Sequence, residues 1–234
     1  MNYTPTIGIR ISVGRKTLGE LRLVIGNRNY SSWSLRAWLA LEATGAPFDE
    51  EVVLLGQPET AAEIGRRSPN GLVPVLRDGD LAIWDSLAIC EYLAERCPAA
   101  GLWPEDRTAR AVARAVTAEM HSGFAAVRGN MPMNIRAFYP GTDRAPGVDD
   151  DIRRITSVWE SCRRDYGLAG DLLFGHFTIA DAFFAPIVSR FRTYGVGLDG
   201  VAAAYSDAIW ALPAMSDWVE KAQAEEWSVA RYDR

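Results

Sequence analysis

Two adjacent hydroxyl groups stand where the sequence changes from a strand pattern to a helix pattern. Ser31 and Ser32 belong to the run NYSSWSLR at residues 29–36. Hydroxyl groups at a helix N-terminus, together with its free N–H groups and the helix dipole, stabilise a bound anion. Serine is also a common N-cap, so this run alone leaves a purely structural role open.

A second polar pair opens another helix pattern. Asp85 and Ser86 begin the run DSLAICEYL at residues 85–93. The Ser86 hydroxyl and the helix N-terminus can hold a carboxylate, while Asp85 can accept hydrogen bonds from an ammonium group. The pair therefore suits the two charges of an amino-acid backbone. An N-cap followed by an ordinary first turn is the alternative.

A proline marks the start of a short strand pattern between these two polar pairs. Val73 and Pro74 lie in the run NGLVPVL at residues 70–76. Proline has no N–H group, so it belongs at a sheet edge or a bend. The sequence alone does not reveal whether the bond before Pro74 is cis, and an edge-strand proline would look the same.

The first half of the chain predicts a mixed α/β unit. A strand at residues 21–26, a helix from about residue 34 to residue 45 and a strand at residues 51–55 form a βαβ pattern, which places the strands in parallel. Two short strands within residues 73–84 flank an Asp-Gly turn and predict a hairpin. A helix at residues 85–96 follows.

The second half of the chain predicts helices only. From residue 107 onward the apolar residues recur at helical spacing, and we expect Pro132 to kink the first long helix. Thr178 and Asp181 have the spacing of a capping box, which is a structural role. We predict an N-terminal extension at residues 1–20, an α/β domain at 21–100 and an all-α domain at 101–234.

The composition excludes several classes of partner. The chain of 234 residues has a net charge of −5, which disfavours nucleic acids and anionic membranes. No apolar run approaches the roughly 18 residues of a membrane span. The three cysteines have no metal-ligand spacing, and such an odd, sparse set is typical of a reducing compartment. Two histidines are too few for a His-rich metal site. We expect a cytoplasmic protein without a metal. For residues 1–20 we expect a floppy extension, or a start codon placed too early, rather than a strand at residues 9–13.

Taken in order, these runs resemble the cytosolic glutathione S-transferases, over a length from Leu21 to the end of the chain. The resemblance implies an α/β thioredoxin-like N-terminal domain plus an all-α helical C-terminal domain. The run SSWSLR is similar to the Ser-Ser-Cys-Ser-x-Arg motif of the zeta class, the maleylacetoacetate isomerases. Trp33 stands where that motif has its cysteine, so the resemblance extends to the serines and not to the isomerase's cysteine.

The family resemblance also implies roles for the first three runs. Ser31 would donate a hydrogen bond to the sulfur of glutathione, the cosubstrate, with Ser32 as the alternative donor. Val73, held by a cis Pro74, would pair its backbone with the cysteinyl part. The sulfur nucleophile would then belong to the cosubstrate, and the enzyme would stabilise its thiolate.

The remaining parts of glutathione carry charge. By the resemblance, Asp85 and Ser86 would hold the γ-glutamyl ammonium and carboxylate groups. A basic residue is expected for the glycyl carboxylate, and its position in the sequence suggests Arg66 or Arg67.

The second substrate is expected to be a small, mostly apolar electrophile, bound largely by the helical half. His121 and Arg128 are candidates for contact with it, although a partly exposed residue on a helix face is the more ordinary role for both. A glutathione-dependent isomerase or peroxidase would use the same thiolate site. A non-catalytic binding or interaction protein on this fold is the alternative from another class. A homodimer is expected by analogy with the family.

Overall fold

The computed structural model describes residues 20–233. The strand considered for residues 9–13 lies outside the described residues. Within them, strands occur only before residue 85, and every later regular element is a helix. The change from a mixed half to a helical half follows the sequence prediction.

The first half forms one four-stranded sheet with three helices. Its elements are β1 (Leu21–Gly26), α1 (Ser32–Thr44), β2 (Phe48–Val53), α2 (Thr60–Gly65), β3 (Val75–Asp78), β4 (Leu81–Trp84) and α3 (Ser86–Arg96). The strand order is β2-β1-β3-β4, with β1 and β2 parallel and the other two pairings antiparallel.

The strand register brings three chain segments to one edge of this sheet. Val75 pairs with Val24 of β1 on one side and with Trp84 of β4 on the other. The end of β1, the start of β3 and the end of β4 therefore lie side by side. Each of the three polar or proline-containing segments lies next to one of these strand ends. The sheet therefore brings together the serine run, the Val-Pro pair and the Asp-Ser pair.

Two strand boundaries differ from the sequence prediction. Strand β2 begins at Phe48 rather than at residue 51, because it pairs along the full length of β1, from Leu21 opposite Phe48 to Gly26 opposite Val53. Strand β3 begins only after Pro74, whose missing N–H group cannot join the ladder.

The second half contains six α-helices in the described part of the chain. These are α4 (Arg107–Ser122), α5 (Ala125–Asn130), α6 (Val148–Tyr166), α7 (Ile179–Thr193), α8 (Gly200–Trp210) and α9 (Pro213–Ala224). Almost every residue of α7 is buried, and α7 packs against both α1 and α4. The apolar core therefore continues from the sheet through α1 into the helical half.

The expected kink at Pro132 is wrong, because the helix ends earlier. Helix α4 stops at Gly123, where a Cβ atom would lie 2.7 Å from the carbonyl oxygen of Glu119. Phe124 then adopts a positive φ of 56° before α5 begins. Pro132 lies beyond α5 and outside any helix. Glycine thus breaks the helix, in keeping with its low helix propensity.

The capping box at the start of α7 is confirmed. Thr178 is the N-cap, and both reciprocal bonds with Asp181 are present. Asp181 also accepts from the backbone N–H of Leu173 at 3.2 Å and from the Tyr205 hydroxyl at 3.2 Å. The buried carboxylate is therefore surrounded by donors and ties α7 to α8 and to the loop before it.

Candidate active-site cleft

The main cleft of the described structure opens at the sheet edge where the three segments meet. It has a volume of about 1010 Å³ and lies between the thioredoxin-like half and helices α5 and α7. Its walls include both serines of the first run, the valine before β3, two arginines of the helical half and one tyrosine near the chain's end: Ser31, Ser32, Val73, Arg128, Arg190 and Tyr232.

Ser31 is the N-cap of α1. Its hydroxyl oxygen accepts from the Ser34 backbone N–H at 3.4 Å and lies 2.7 Å from the Ser34 hydroxyl, which in turn accepts from the Gly26 N–H. Either hydroxyl of this pair can be the donor, because a hydroxyl hydrogen rotates to suit its partners. With Ser34 donating to Ser31, the Ser31 hydrogen points to a ligand at the helix N-terminus.

Ser32 contacts a buried charge from the helical half. Its hydroxyl oxygen accepts a hydrogen bond from a guanidinium N–H of Arg190 at 3.2 Å. Burial lowers the pKa of Arg190 to about 10, which leaves it charged at neutral pH. A positive charge thus stands next to the serine pair, where it favours a bound anion.

Val73 and Pro74 lie immediately before β3, and the peptide bond between them is cis. Val73 lines the cleft, while Pro74 is buried behind it. The backbone of Val73 lies outside the pairing of β3 with its two neighbours. An extended peptide ligand can therefore reach its N–H and C=O groups.

Asp85 and Ser86 begin α3 next to this segment. The Asp85 carboxylate caps the helix by accepting from the Leu87 N–H at 2.8 Å, and Asp85 itself has a positive φ of 70°. The Ser86 hydroxyl is fully buried and has no hydrogen-bond partner in the described structure. An unpartnered buried hydroxyl is costly, which makes Ser86 a candidate donor at the start of α3, but Asp85 and Ser86 are not among the residues that line the cleft.

His121 connects Asp85 with the cleft wall. Its Nε2 atom lies 3.4 Å from an Asp85 carboxylate oxygen, and its ring meets the Trp33 ring edge-on at 5.2 Å between centroids. Burial lowers the pKa of His121, while Asp85 opposes this shift. His121 therefore packs behind Trp33, and Arg128 is the candidate that lines the cleft directly.

Arg66 and Arg67 are not brought to this cleft. Arg67 bonds to Glu51 and Glu63, and Arg66 pairs with Glu63. Both arginines line a separate polar groove together with Arg77. Arg231 is a cation that does line the cleft, to which α2 also contributes residues.

Arg36 and Arg190, which accompany Arg128 near the serines, are the main feature that sequence reasoning missed. Burial lowers the pKa of Arg36, and the charges of Arg190 and Arg128 lower it further; Arg128 also lowers the pKa of Arg190, where burial is again the larger cause. Arg36 was visible as the last residue of the serine run. A single charge within the apolar run AFFAPIVSRF was the only sequence signal for Arg190.

The chain's end also forms part of the cleft. The Tyr30 hydroxyl donates to the Asp233 carboxylate at 2.9 Å, and the Tyr30 and Tyr232 rings lie 5.6 Å apart. Glu225 accepts from the backbone N–H groups of Arg28 and Asn29. These contacts hold the last residues against the loop that carries the serines. They depend on tertiary folding, and no local pattern indicates them.

Two other kinds of site are absent from the described residues. No cluster of three or more histidine, cysteine, aspartate or glutamate side chains could hold a metal ion there. None of the helices of residues 20–233 combines the length and the apolar character needed to cross a membrane.

Comparison with known proteins gives a consistent result. Residues 30–96 match the family model for the N-terminal domain of glutathione S-transferases, and residues 110–222 match the model for the C-terminal domain. The chain is 34% identical over 192 residues to glutathione S-transferase GstB of Escherichia coli (strain K12), covering 75% of this chain and 85% of that protein.

Two other similarities bear on the class and the fold. A probable maleylacetoacetate isomerase of Vibrio cholerae is 38% identical over 98 residues, which cover 39% of this chain and 46% of that protein. A crystal structure of a Burkholderia glutathione transferase homologue with bound glutathione has a TM-score of 0.65 at 24% identity, covering 88% of this chain and 99% of that one. With both family models matched in order, this chain belongs to the glutathione S-transferase family.

Proposed function

We propose that this protein is a glutathione transferase in which the Ser31 hydroxyl stabilises the glutathione thiolate. One observation carries the proposal: both serines at the N-terminus of α1 line the same cleft as Val73. The cleft therefore offers a hydroxyl donor, a helix N-terminus and an accessible backbone segment together. The chain's family and a structural neighbour with bound glutathione support the choice of ligand.

Glutathione is placed by the three segments at the sheet edge. The cysteinyl backbone pairs with Val73, which directs the sulfur toward Ser31. The γ-glutamyl group lies at the start of α3, where Asp85 accepts from its ammonium and the unpartnered Ser86 hydroxyl donates to its carboxylate. Arg231 takes the glycyl carboxylate, because it lines the cleft and Arg66 does not.

The serine site is strong enough for this task. A free thiol has a pKa of about 8.5, and lowering it by about two units requires roughly 2.7 kcal/mol. One hydrogen bond to a charged group supplies about 1.5–3 kcal/mol, and a helix N-terminus adds about 0.3–1 kcal/mol. The charge of Arg190 beside Ser32 acts in the same direction. No metal and no enzyme cysteine is required.

The reaction then follows from the position of the thiolate. Its sulfur attacks an electrophilic carbon of a small second substrate with an apolar body, held against Trp33 and Met133 in the cleft wall. Isomerisation or peroxide reduction would use the same thiolate. Trp33 in place of a cysteine gives the conjugation reaction preference over the isomerase reaction. A homodimer and a cytoplasmic location remain predictions from the family.

A glutathione titration at neutral pH tests this proposal. Ultraviolet absorbance of the purified protein should show a saturable thiolate signal, and a chloronitrobenzene should be consumed with glutathione at the same protein concentrations. Glutathione binding without thiolate formation and without turnover would reject the transferase in favour of a non-catalytic binding protein.

A further inference from the structure

The arginine cluster beside the cleft has no carboxylate partner. Its members are Arg36 on α1, Arg128 on α5 and Arg190 on α7. Arg36 is 1% exposed and Arg190 is 5% exposed. Every hydrogen bond that these three side chains make goes to a backbone carbonyl or a hydroxyl oxygen within the described structure.

Arg36 is the least satisfied of the three. Two of its guanidinium nitrogens, Nε and Nη1, are buried without any hydrogen-bond partner in the described structure. The guanidinium lies 4.6 Å from the centre of the Trp33 ring and 4.7 Å from that of Phe183. Asp85 and Cys90 oppose the lowering of its pKa, with smaller effects than burial and the two other arginines. The pKa of Cys90 is raised by burial, so its thiol stays neutral.

Arg128 brings this positive charge to the cleft. It lines the cavity, and its guanidinium lies 5.1 Å from the centre of the Trp33 ring. It donates to the carbonyl oxygens of His121 and Gly123, both at 3.2 Å. Burial lowers the pKa of Arg128, and no carboxylate opposes that shift.

Such an arrangement is unfavourable until an anion arrives. Buried charges without partners are destabilising, and like charges in a region of low dielectric repel one another. One glutathione thiolate supplies a single negative charge against three guanidinium groups. The Ser32 hydroxyl accepts from Arg190, whereas Arg128 makes no hydrogen bond to either serine and lies over the Trp33 ring. A second anion would balance the remaining charge.

We propose that the second substrate is an electrophile that carries a carboxylate, which Arg128 and Arg190 bind beside Trp33. This inference rests on the proposed function and specifies its substrate class. The carboxylate anchors one end of an otherwise apolar molecule in the cationic part of the cleft. Its reactive carbon then faces the sulfur, and Arg36 strengthens the field from behind Trp33.

A chloronitrobenzoate, with chlorine para to the carboxylate, is a suitable probe, and its carboxamide is the neutral match. The thiol first releases its proton to solvent. The thiolate sulfur then forms a bond to the ring carbon that holds chlorine, and the C–Cl bond breaks as chloride leaves with the electron pair. Both probes undergo this same step. Dividing each kcat/KM by the rate constant of the uncatalysed reaction with glutathione corrects for their different reactivity, and the ratio of the two corrected values then measures recognition of the carboxylate.

The wild-type protein should prefer the carboxylate, and Arg128→Gln should lower the carboxylate-to-carboxamide ratio by about tenfold, the worth of one charge-assisted hydrogen bond. Arg128→Lys, which keeps the charge, should recover part of the preference. Arg107→Gln is the matched control, because it removes one arginine charge from the exposed start of α4 and should keep the wild-type ratio. Thermal denaturation verifies that each variant is folded.

A binding measurement separates recognition from chemistry. For this measurement, S-methylglutathione replaces glutathione, and a methyl group replaces the chlorine of the benzoate probe, so that no reaction occurs. Calorimetry should give a Kd for the benzoate about tenfold higher in Arg128→Gln than in wild type. Equal ratios in wild type and Arg128→Gln, with the glutathione thiolate signal intact, would overturn the carboxylate site and leave the transferase proposal standing. Loss of the thiolate signal in wild type would overturn both.

Discussion

Two buried charge clusters in this protein are built on opposite principles. Asp181, at the start of α7, is fully buried, and its carboxylate accepts from two backbone N–H groups and two hydroxyls. Arg36 is buried to the same degree, yet two of its nitrogens have no partner in the described structure. One charge is satisfied by the fold itself. The charge of Arg36 is not satisfied by the fold, and an anion bound in the cleft would balance it.

This difference separates structural charge from functional charge. A carboxylate that accepts four hydrogen bonds stabilises its surroundings whether or not a ligand is present. A group of guanidiniums without a carboxylate partner lowers the stability of the empty protein and is compensated by an anionic ligand. Substitutions in the two clusters should therefore affect different measurements.

The largest expected effect on stability lies at Asp181. Asp181→Asn replaces one acceptor oxygen by a donor that faces donors, so the free energy of unfolding should fall by about 3 kcal/mol. Urea denaturation measures this loss. Asp150→Asn, on the exposed start of α6, is the control and should change stability by less than about 0.5 kcal/mol. A loss of less than about 1 kcal/mol in Asp181→Asn would show that the Asp181 carboxylate is not important for stability.

The next effect concerns glutathione binding at Ser86. Ser86→Ala deletes a buried hydroxyl that has no partner in the described protein, so stability should hardly change. Glutathione loses a donor to its γ-glutamyl carboxylate, and its Kd should rise by about tenfold. Titration calorimetry gives the glutathione Kd of the wild type and of Ser86→Ala. An unchanged Kd would mean that the unpartnered hydroxyl is not part of the glutathione site.

A direct comparison of the two clusters comes from Arg36→Met. Methionine fills a similar volume without a charge, so the free energy of unfolding should stay within about 1 kcal/mol of wild type or rise. The preference for a carboxylate electrophile should weaken. A loss of stability as large as that of Asp181→Asn would show that both clusters are structural, and that the arginine cluster is not kept for a ligand.

The smallest effect is a pH dependence from His121. Burial holds its pKa in the folded state below that of the unfolded chain. The stability linked to this neutral imidazole is complete above the unfolded pKa and is lost as pH falls through the unfolded and then the folded value. Wild type should therefore lose stability on mild acidification, and His121→Gln should lose less.

The second histidine supplies the control for this experiment. His176 is exposed, so His176→Gln should keep the wild-type change of stability with pH. Denaturant midpoints over a pH series give the comparison. An identical pH dependence in wild type and His121→Gln would show that burial of this imidazole has no energetic consequence.

Local sequence patterns predicted most of the fold. Helix α1 ends at Gly45 in a left-handed conformation, as its glycine indicated, and the hairpin forms around Asp78 and Gly79. The capping box of Thr178 is present as expected. Each of these features depends on residues a few positions apart, so the sequence alone contains the relevant interactions.

Features that depend on distant contacts were not predictable in the same way. The extent of β2 follows from its partner β1, and the break at Gly123 depends on the carbonyl of Glu119 rather than on the more conspicuous Pro132. Arg190 meets Ser32 across 158 residues of sequence. The cationic character of the cleft arises from such contacts, which is why the sequence suggested a mostly apolar substrate.

The thiol pKa of bound glutathione shows whether the Ser31 hydroxyl stabilises the thiolate. Its value comes from a pH titration of ultraviolet thiolate absorbance in wild type, Ser31→Ala and Ser32→Ala. We expect a pKa about two units below that of free glutathione in wild type and most of that shift lost in Ser31→Ala. Ser32→Ala should lose less. An unchanged pKa in both variants, with glutathione still bound, would contradict the serine mechanism.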